Sequence, residues 1–305
     1  SRVLPFFKKL PPCLVGMEAC ATAHHWARQL IEFGHEVKLM PPHYVKRGKN
    51  DAADAAAICE AVTRPTMRFV SVKGAEQQSV LMLHRTRELL VRQRTMLINA
   101  IRSHMAELGI VAPVGVPQVK KLLRIIADTD DARLPSLART CLDGLARQFL
   151  SLDKEINAAE KRIHAWHRSN EVSRRLETIP GVGPIIASAL AASITDPGVF
   201  KNGRELAAWI GLVPRQNSTG GKQRLGKISK QGDQYLRWLL VAGARSVIRQ
   251  AKRRGASNPP WLANIIDRKP TMVAAVALAN KNARIVWALM KQGGSYQKPV
   301  PVPAV

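Results

Sequence analysis

The stretch CLVGMEACATAHHWARQLIEFGHEVKLMPP, Cys13 to Pro42, decides how the chain begins to fold. Cys13–Met17 is a short apolar run behind a proline pair and reads as a buried strand. Thr22–Phe33 carries a threonine suited to an N-cap and stops at Gly34, which reads as a helix. His35–Met40 reads as a second strand, halted by Pro41 and Pro42. This is a β-α-β unit, for which right-handed parallel pairing is expected. Asn50–Val62 follows as a helix capped by Asn50, and Pro65 closes the unit. A further short strand is expected at Arg68–Val72.

From Glu76 to about Gly109 the pattern changes. Leu83, Leu90, Leu97, Ile101, Met105 and Leu108 recur at helical spacing with arginines between them, a long amphipathic helix with a basic side. Beyond a Pro/Gly/Val link at Ile110–Pro117, the residues Leu142, Leu145, Phe149, Leu152, Ile156, Ala159, Ile163 and Trp166 step by three and four, a heptad seam. An antiparallel helical hairpin, a dimer seam and a plain intramolecular bundle all fit it. A third region begins near Val172, is interrupted at Lys252–Pro260, and ends in a helix at Thr271–Gln292. Gly293–Val305 reads as a disordered tail.

Charge narrows the function. There are 47 Lys and Arg against 22 Asp and Glu, a net +25 and a pI near 10.7. Such a chain meets a polyanion, most often nucleic acid. The basic residues are spread along the chain rather than along one amphipathic helix, which argues against a membrane surface. With neither a transmembrane-length apolar run nor a signal peptide, a cytoplasmic location is expected. Cys13, Cys20, Cys59 and Cys141 lack metal-ligand spacing and read as buried thiols of a reducing compartment.

Three places can carry chemistry. In LETIPGVGPIIASALAA (Leu176–Ala192), Gly181 and Gly183 allow a tight turn whose amides suit a phosphate, the helix-hairpin-helix pattern; an αα-corner that merely needs glycine is the plainer reading. Glu18 follows the first strand, and Asp51 and Asp54 share a face on the first turn of a helix. Three carboxylates at one rim would suit Mg²⁺, but each can also be a solvated or helix-dipole carboxylate. NSTGGKQRLGKISKQGD (Asn217–Asp233) sets Ser218 beside Gly220 and Gly221. Arg215, Lys222, Arg224, Lys227, Lys230 and Arg237 surround it, an anion nest in which the serine either holds a phosphate or attacks one. His24 and His25 point about 100° apart on a helix and make a poor chelate, so one packs and the other is exposed. Trp238, Trp261 and Trp287 can each stack on bases, although Trp238 and Trp287 lie in apolar helical runs and read more readily as core.

Together GMEAC, KNDAADAAAICEAVTRPTMRFV, IPGVGPIIASALAA, FKNGRELAAWIGLVPRQNSTGGKQRLGKISKQGDQYLRWLLVAGAR and VALANKNARIVWAL resemble the bacterial DEDD transposases of insertion-sequence family 110, subgroup 1111. The resemblance runs from Ser1 to about Tyr296 and implies three domains. These are an RNase H-like α/β domain related to Holliday-junction resolvases (1–75), a helical coiled-coil middle (76–170), and a mostly helical transposase domain with the helix-hairpin-helix (171–292), before the tail (293–305). It implies Mg²⁺ held by Glu18, Asp51 and Asp54, with Ser218 as the nucleophile of a serine–phosphate intermediate. DNA, a structured guide RNA and a homo-oligomer are the implied partners. The family's first acid lies on an opening strand that no residue before Glu18 supplies, so a truncated copy, competent to bind and weak in strand exchange, is expected. A nonenzymatic nucleic-acid-binding protein and a metal-only nuclease are the alternatives.

Overall fold

The computed structural model describes residues 3–42, 45, 50–217, 219, 221–222, 224–254 and 259–297. They form two compact units, one from residues 1–79 with 170–305 and one from residues 80–169.

The first unit opens with a short helix α1 (Val3–Phe7) and the expected β-α-β unit: β1 (Leu14–Glu18), α2 (Ala23–Glu32) and β2 (Glu36–Met40). The strands pair in parallel, from Leu14↔Glu36 to Glu18↔Met40. Thr22 stands before α2 in a left-handed conformation, φ 71°, and its side chain makes no cap bond, contrary to the expected N-cap. Because side chains alternate along a strand, Leu39 and Met40 point to opposite faces, and both are fully buried. Leu39 packs with Ala23 and Ala27 of α2. Met40 packs with Ala61 and Val62 of α3 (Asp51–Val62). The strand expected at Arg68–Val72 contracts to one antiparallel bridge, Val70 to Leu39, with a 2.7 Å hydrogen bond.

The remainder of this unit is helical: α7 (Glu171–Glu177), α8 (Pro184–Ser193), α9 (Gly203–Trp209), α10 (Gln234–Arg254), α11 (Pro260–Arg268) and α12 (Thr271–Gln292). Every residue of α8 from Ile186 to Ala192 is buried, as befits a helix apolar all round. Ala274, Ala275, Ala279 and Ala283 give α12 a small buried face in the same core. Among the described residues one hairpin interrupts these helices, β3 (Pro214–Gln216) with β4 (Leu225–Ile228). The expected disordered tail is corrected in part: Tyr296 packs on the core and its amide donates to Thr178 Oγ1 at 2.8 Å. Residues after 297 lie outside those described.

The second unit holds most of α4 (Ala75–Ala106) and all of α5 (Val116–Ala127) and α6 (Ser136–Ser169). Leu142, Phe149, Ile156 and Ile163, each seven residues apart, are buried along α6. Arg87 pairs with Glu160 at 2.5 Å, and Arg94 with Asp153 at 2.6 Å. One heptad forward on α4 is thus one heptad back on α6, so the two run antiparallel. α5 is closed by a cation: Arg139 donates to the carbonyls of Ile125, Ile126, Asp128 and Asp131 at its C-terminal end.

Candidate active site and nucleic-acid interface

The carboxylates come from two elements. Glu18 ends β1, opposite Met40. Asn50 caps α3 by accepting from Ala53 N at 2.9 Å, which fixes Asp51 and Asp54 in the first turn. α3 can lie against β1 because residue 16 is glycine: a Cβ there would stand 3.0 Å from Val62 Cβ. Nonetheless no group of three His, Cys, Asp or Glu side chains converges on a cation position among the described residues. Glu18, Asp51 and Asp54 thus do not together form such a group in this arrangement.

On α2, His24 accepts from Lys73 N at 3.2 Å, and Arg28 donates to Lys73 O at 2.7 Å. Burial, with Lys73 and Arg28 nearby, lowers the His24 pKa to about 4. His24 is therefore a neutral clip, and His25 is exposed, in line with the expected division of the pair. The four cysteines are exposed, correcting the expectation of buried thiols. Cys59 and Cys141 lie on outward faces of α3 and α6, Cys20 in the turn after β1, and Cys13 at the edge where its amide meets His35 Nδ1 at 3.2 Å.

The basic hairpin is exposed on both strands, apart from a half-buried Ile228. Near its tip Asn217 N donates to Arg224 O at 2.8 Å, and Thr219 bridges Lys222 across a turn in which Gly221 has φ 77°. Ser218 and Gly220 lie outside the described residues. Arg215, Lys222, Arg224, Lys227 and Lys230 are all exposed on this hairpin or at its base. Lys230 is one of the few non-glycine residues with positive φ, 55°.

Arg237 behaves differently. Its Nη1 donates to Ile210 O at 2.7 Å and to Gln231 O at 2.9 Å, strapping together the two segments at the hairpin base. Gly232 stands there too, at φ 75°, where a Cβ would fall 1.8 Å from Trp209 O. Spacing alone made Arg237 one more cation, but half-buried against backbone carbonyls it is a support.

The glycine turn between α7 and α8 is split in the same way. Gly181, at φ 86°, lies against α10: a Cβ would be 2.8 Å from Val247 Cγ2 and 3.0 Å from Gly243 O. This position needs glycine for packing. Gly183 is the opposite case, since a Cβ there meets nothing within 4 Å. It precedes Pro184 at the start of α8, so backbone can be approached from outside at Gly183. Sequence reasoning passed over Asn280 and Asn282 of α12. Asn282, buried, donates to Pro180 O at 2.9 Å, and Asn280 donates to Leu212 O at 3.1 Å. The available signal was a pair of asparagines two residues apart in the mainly apolar run of α12. Trp238, expected in the core, is 55% exposed and stacks with Tyr235, whereas Trp287 is held inside by bonds to Pro197 O and Phe200 O.

Residues 173–258 match the family described as Transposase IS116/IS110/IS902 family, and residues 6–110 match the IS110 family of DEDD transposases. A Pseudomonas aeruginosa protein named "Probable family 20 transposase" is 49% identical over 97% of this chain and 89% of its own length. The transposase for insertion sequence element IS1111A of Coxiella burnetii is 40% identical over 93% of this chain and 79% of its own. That for IS1328 of Yersinia enterocolitica is 39% identical over 96% and 88%.

Proposed function

Because the chain belongs to the IS116/IS110/IS902 family of insertion-sequence transposases, we propose that it exchanges DNA strands through a covalent serine–phosphate intermediate, with Ser218 as nucleophile. The observation that carries this reading is the β3–β4 hairpin: an exposed cationic finger whose base is strapped by Arg237 and whose tip sequence holds Ser218. Ser218 Oγ attacks a DNA phosphorus in line. The new O–P bond replaces the bond to the 3′ oxygen, and the serine proton is lost as the leaving oxygen gains one. Arg215, Lys222 and Arg224 stabilise the charge on the phosphoryl oxygens. A preserved phosphodiester energy lets a second 3′ hydroxyl reverse the step onto a new partner.

DEDD transposases depend on a divalent ion, and Mg²⁺ is the ion proposed for this chain, with Glu18, Asp51 and Asp54 as the carboxylates that would have to draw together to hold it. When bound, it would supply charge neutralisation and activation of the attacking hydroxyl. The proposed organisation is an RNase H-like domain at 1–75, a helical middle at 76–170 and a transposase domain at 171–292, working on DNA in the cytoplasm with a structured guide RNA. Among the described residues no helix is long and apolar enough to cross a membrane. A homo-oligomer is proposed because Met82, Leu89 and Met96, a heptad apart on α4, are 68%, 46% and 70% exposed.

The test is adduct trapping. Wild-type protein incubated with element-end DNA and Mg²⁺ is expected to yield a denaturation-resistant protein–DNA species, which Ser218→Ala abolishes while duplex binding persists. Cleavage that survives Ser218→Ala and disappears with Asp51→Ala would instead mark a metal-only nuclease. Binding without adduct or cleavage in either protein would mark a nonenzymatic binder.

A further inference from the structure

Beside the β3–β4 hairpin the first unit opens a cleft of about 1530 Å³. Its apolar lining includes Trp261 of α11 with Met272 and Val273 of α12, which are 39%, 50% and 51% exposed. Large apolar side chains left this far in water mark a contact surface when they are contiguous. Around them stand Arg204, Lys227, Lys281 and Arg284, and no carboxylate belongs to the described lining. Lys281 Nζ sits 4.1 Å from the Trp261 ring centroid, a cation–π contact that fixes the indole. Burial and the neighbouring Arg284 lower the Lys281 pKa, so an arriving anion would relieve an existing repulsion.

An aromatic platform ringed by cations suits a nucleic-acid strand whose bases are unpaired: bases stack on the apolar part while phosphates meet the rim. A docked apolar helix would use the floor but leave the cations without partners. Lys227 and Ile228 of β4 belong both to the hairpin and to the cleft wall. A strand leaving the hairpin therefore enters the cleft directly, which favours DNA over RNA as the occupant. We propose that this cleft holds an unpaired stretch of DNA adjoining the phosphate that the hairpin engages, with Trp261 as the stacking platform. The proposal rests on the strand-exchange reading.

The experiment measures fluorescence anisotropy of the full chain with three probes: a blunt duplex, the same duplex with an unpaired DNA overhang, and one with an RNA overhang of equal sequence. The DNA overhang is expected to tighten binding, and Trp261→Ala to weaken that probe by about 10-fold while blunt-duplex binding stays within about 2-fold. Trp261→Phe should retain most of the gain. Met272→Glu, at an exposed position, should repeat the loss with an unchanged melting temperature. Equal losses on blunt and overhang probes, no loss on either, a preference for the RNA overhang, or a change of oligomeric state with Met272→Glu would each overturn the cleft assignment while leaving Ser218 chemistry standing. A wild-type chain that binds none of the probes would overturn both.

Discussion

Arg68 Nη2 lies 3.0 Å from Glu205 Oε1, joining segments 137 residues apart in sequence. The carboxylate is largely covered, at 20% exposure, and its other oxygen accepts from Lys201 N at 2.8 Å. Glu205 therefore closes the start of α9 and ties it to the segment following α3. Arg68→Ala should cost only about 0.5–1 kcal/mol, because the guanidinium is exposed. Glu205→Ala should cost more, about 1–2 kcal/mol, since it also deprives the Lys201 amide of its acceptor. A double-mutant cycle by urea unfolding isolates the pair, and added salt should shrink only the coupling.

The Gly181–Gly243 contact leaves no room for a methyl group. A Cβ on Gly243 would stand 1.9 Å from Gly181 O, and one on Gly181 would meet α10 while forcing an L residue into positive φ. Gly181→Ala and Gly243→Ala should each lower stability by about 2 kcal/mol or more. Gly183→Ala, in open space, should leave the melting temperature nearly unchanged and weaken duplex binding. Calorimetry beside a binding titration separates the two glycines of one motif.

Arg237 and Lys222 should part in the same way. Arg237→Ala removes bonds to two carbonyls and is expected to destabilise the unit by about 1–3 kcal/mol. Lys222→Ala should keep the melting temperature and reduce DNA affinity, with the slope of log K against log salt falling by about 0.9 for one lost phosphate contact. An unchanged slope would remove Lys222 from the interface.

Acid should weaken both units. Burial, with Arg87 nearby, lowers the His84 pKa to about 4, as happens for His24. Against an ordinary value of 6.5, the unfolded chain takes up these protons first. The stabilisation is then fully present above pH 6.5 and is lost as pH falls toward 4. Thermal unfolding from pH 7 to 4 should show that decline, and His84→Gln should flatten it for the helical unit.

Local patterns were legible because local physics set them. The β-α-β unit follows from strand-length apolar runs on either side of a helix, and the heptad of Leu142, Phe149, Ile156 and Ile163 names the buried side of α6. The roles of similar residues were not legible, because partners distant in sequence decide them. Gly181 and Gly183 look alike until Gly243 is set beside one of them. Arg237 and Lys222 are equivalent cations until the carbonyls of Ile210 and Gln231 claim one. Likewise Glu18, Asp51 and Asp54 promise a cluster at the ends of adjoining elements, but side-chain convergence depends on how α3 approaches β1, which no spacing encodes.

Asn282 and Asn280 stand two residues apart on α12 and hold the glycine turn at Pro180 and the hairpin entrance at Leu212. The two places proposed to meet DNA are thus hung from one helix. Should DNA pull on either, α12 would carry the displacement to the other, so the turn and the finger travel as a single mechanical element.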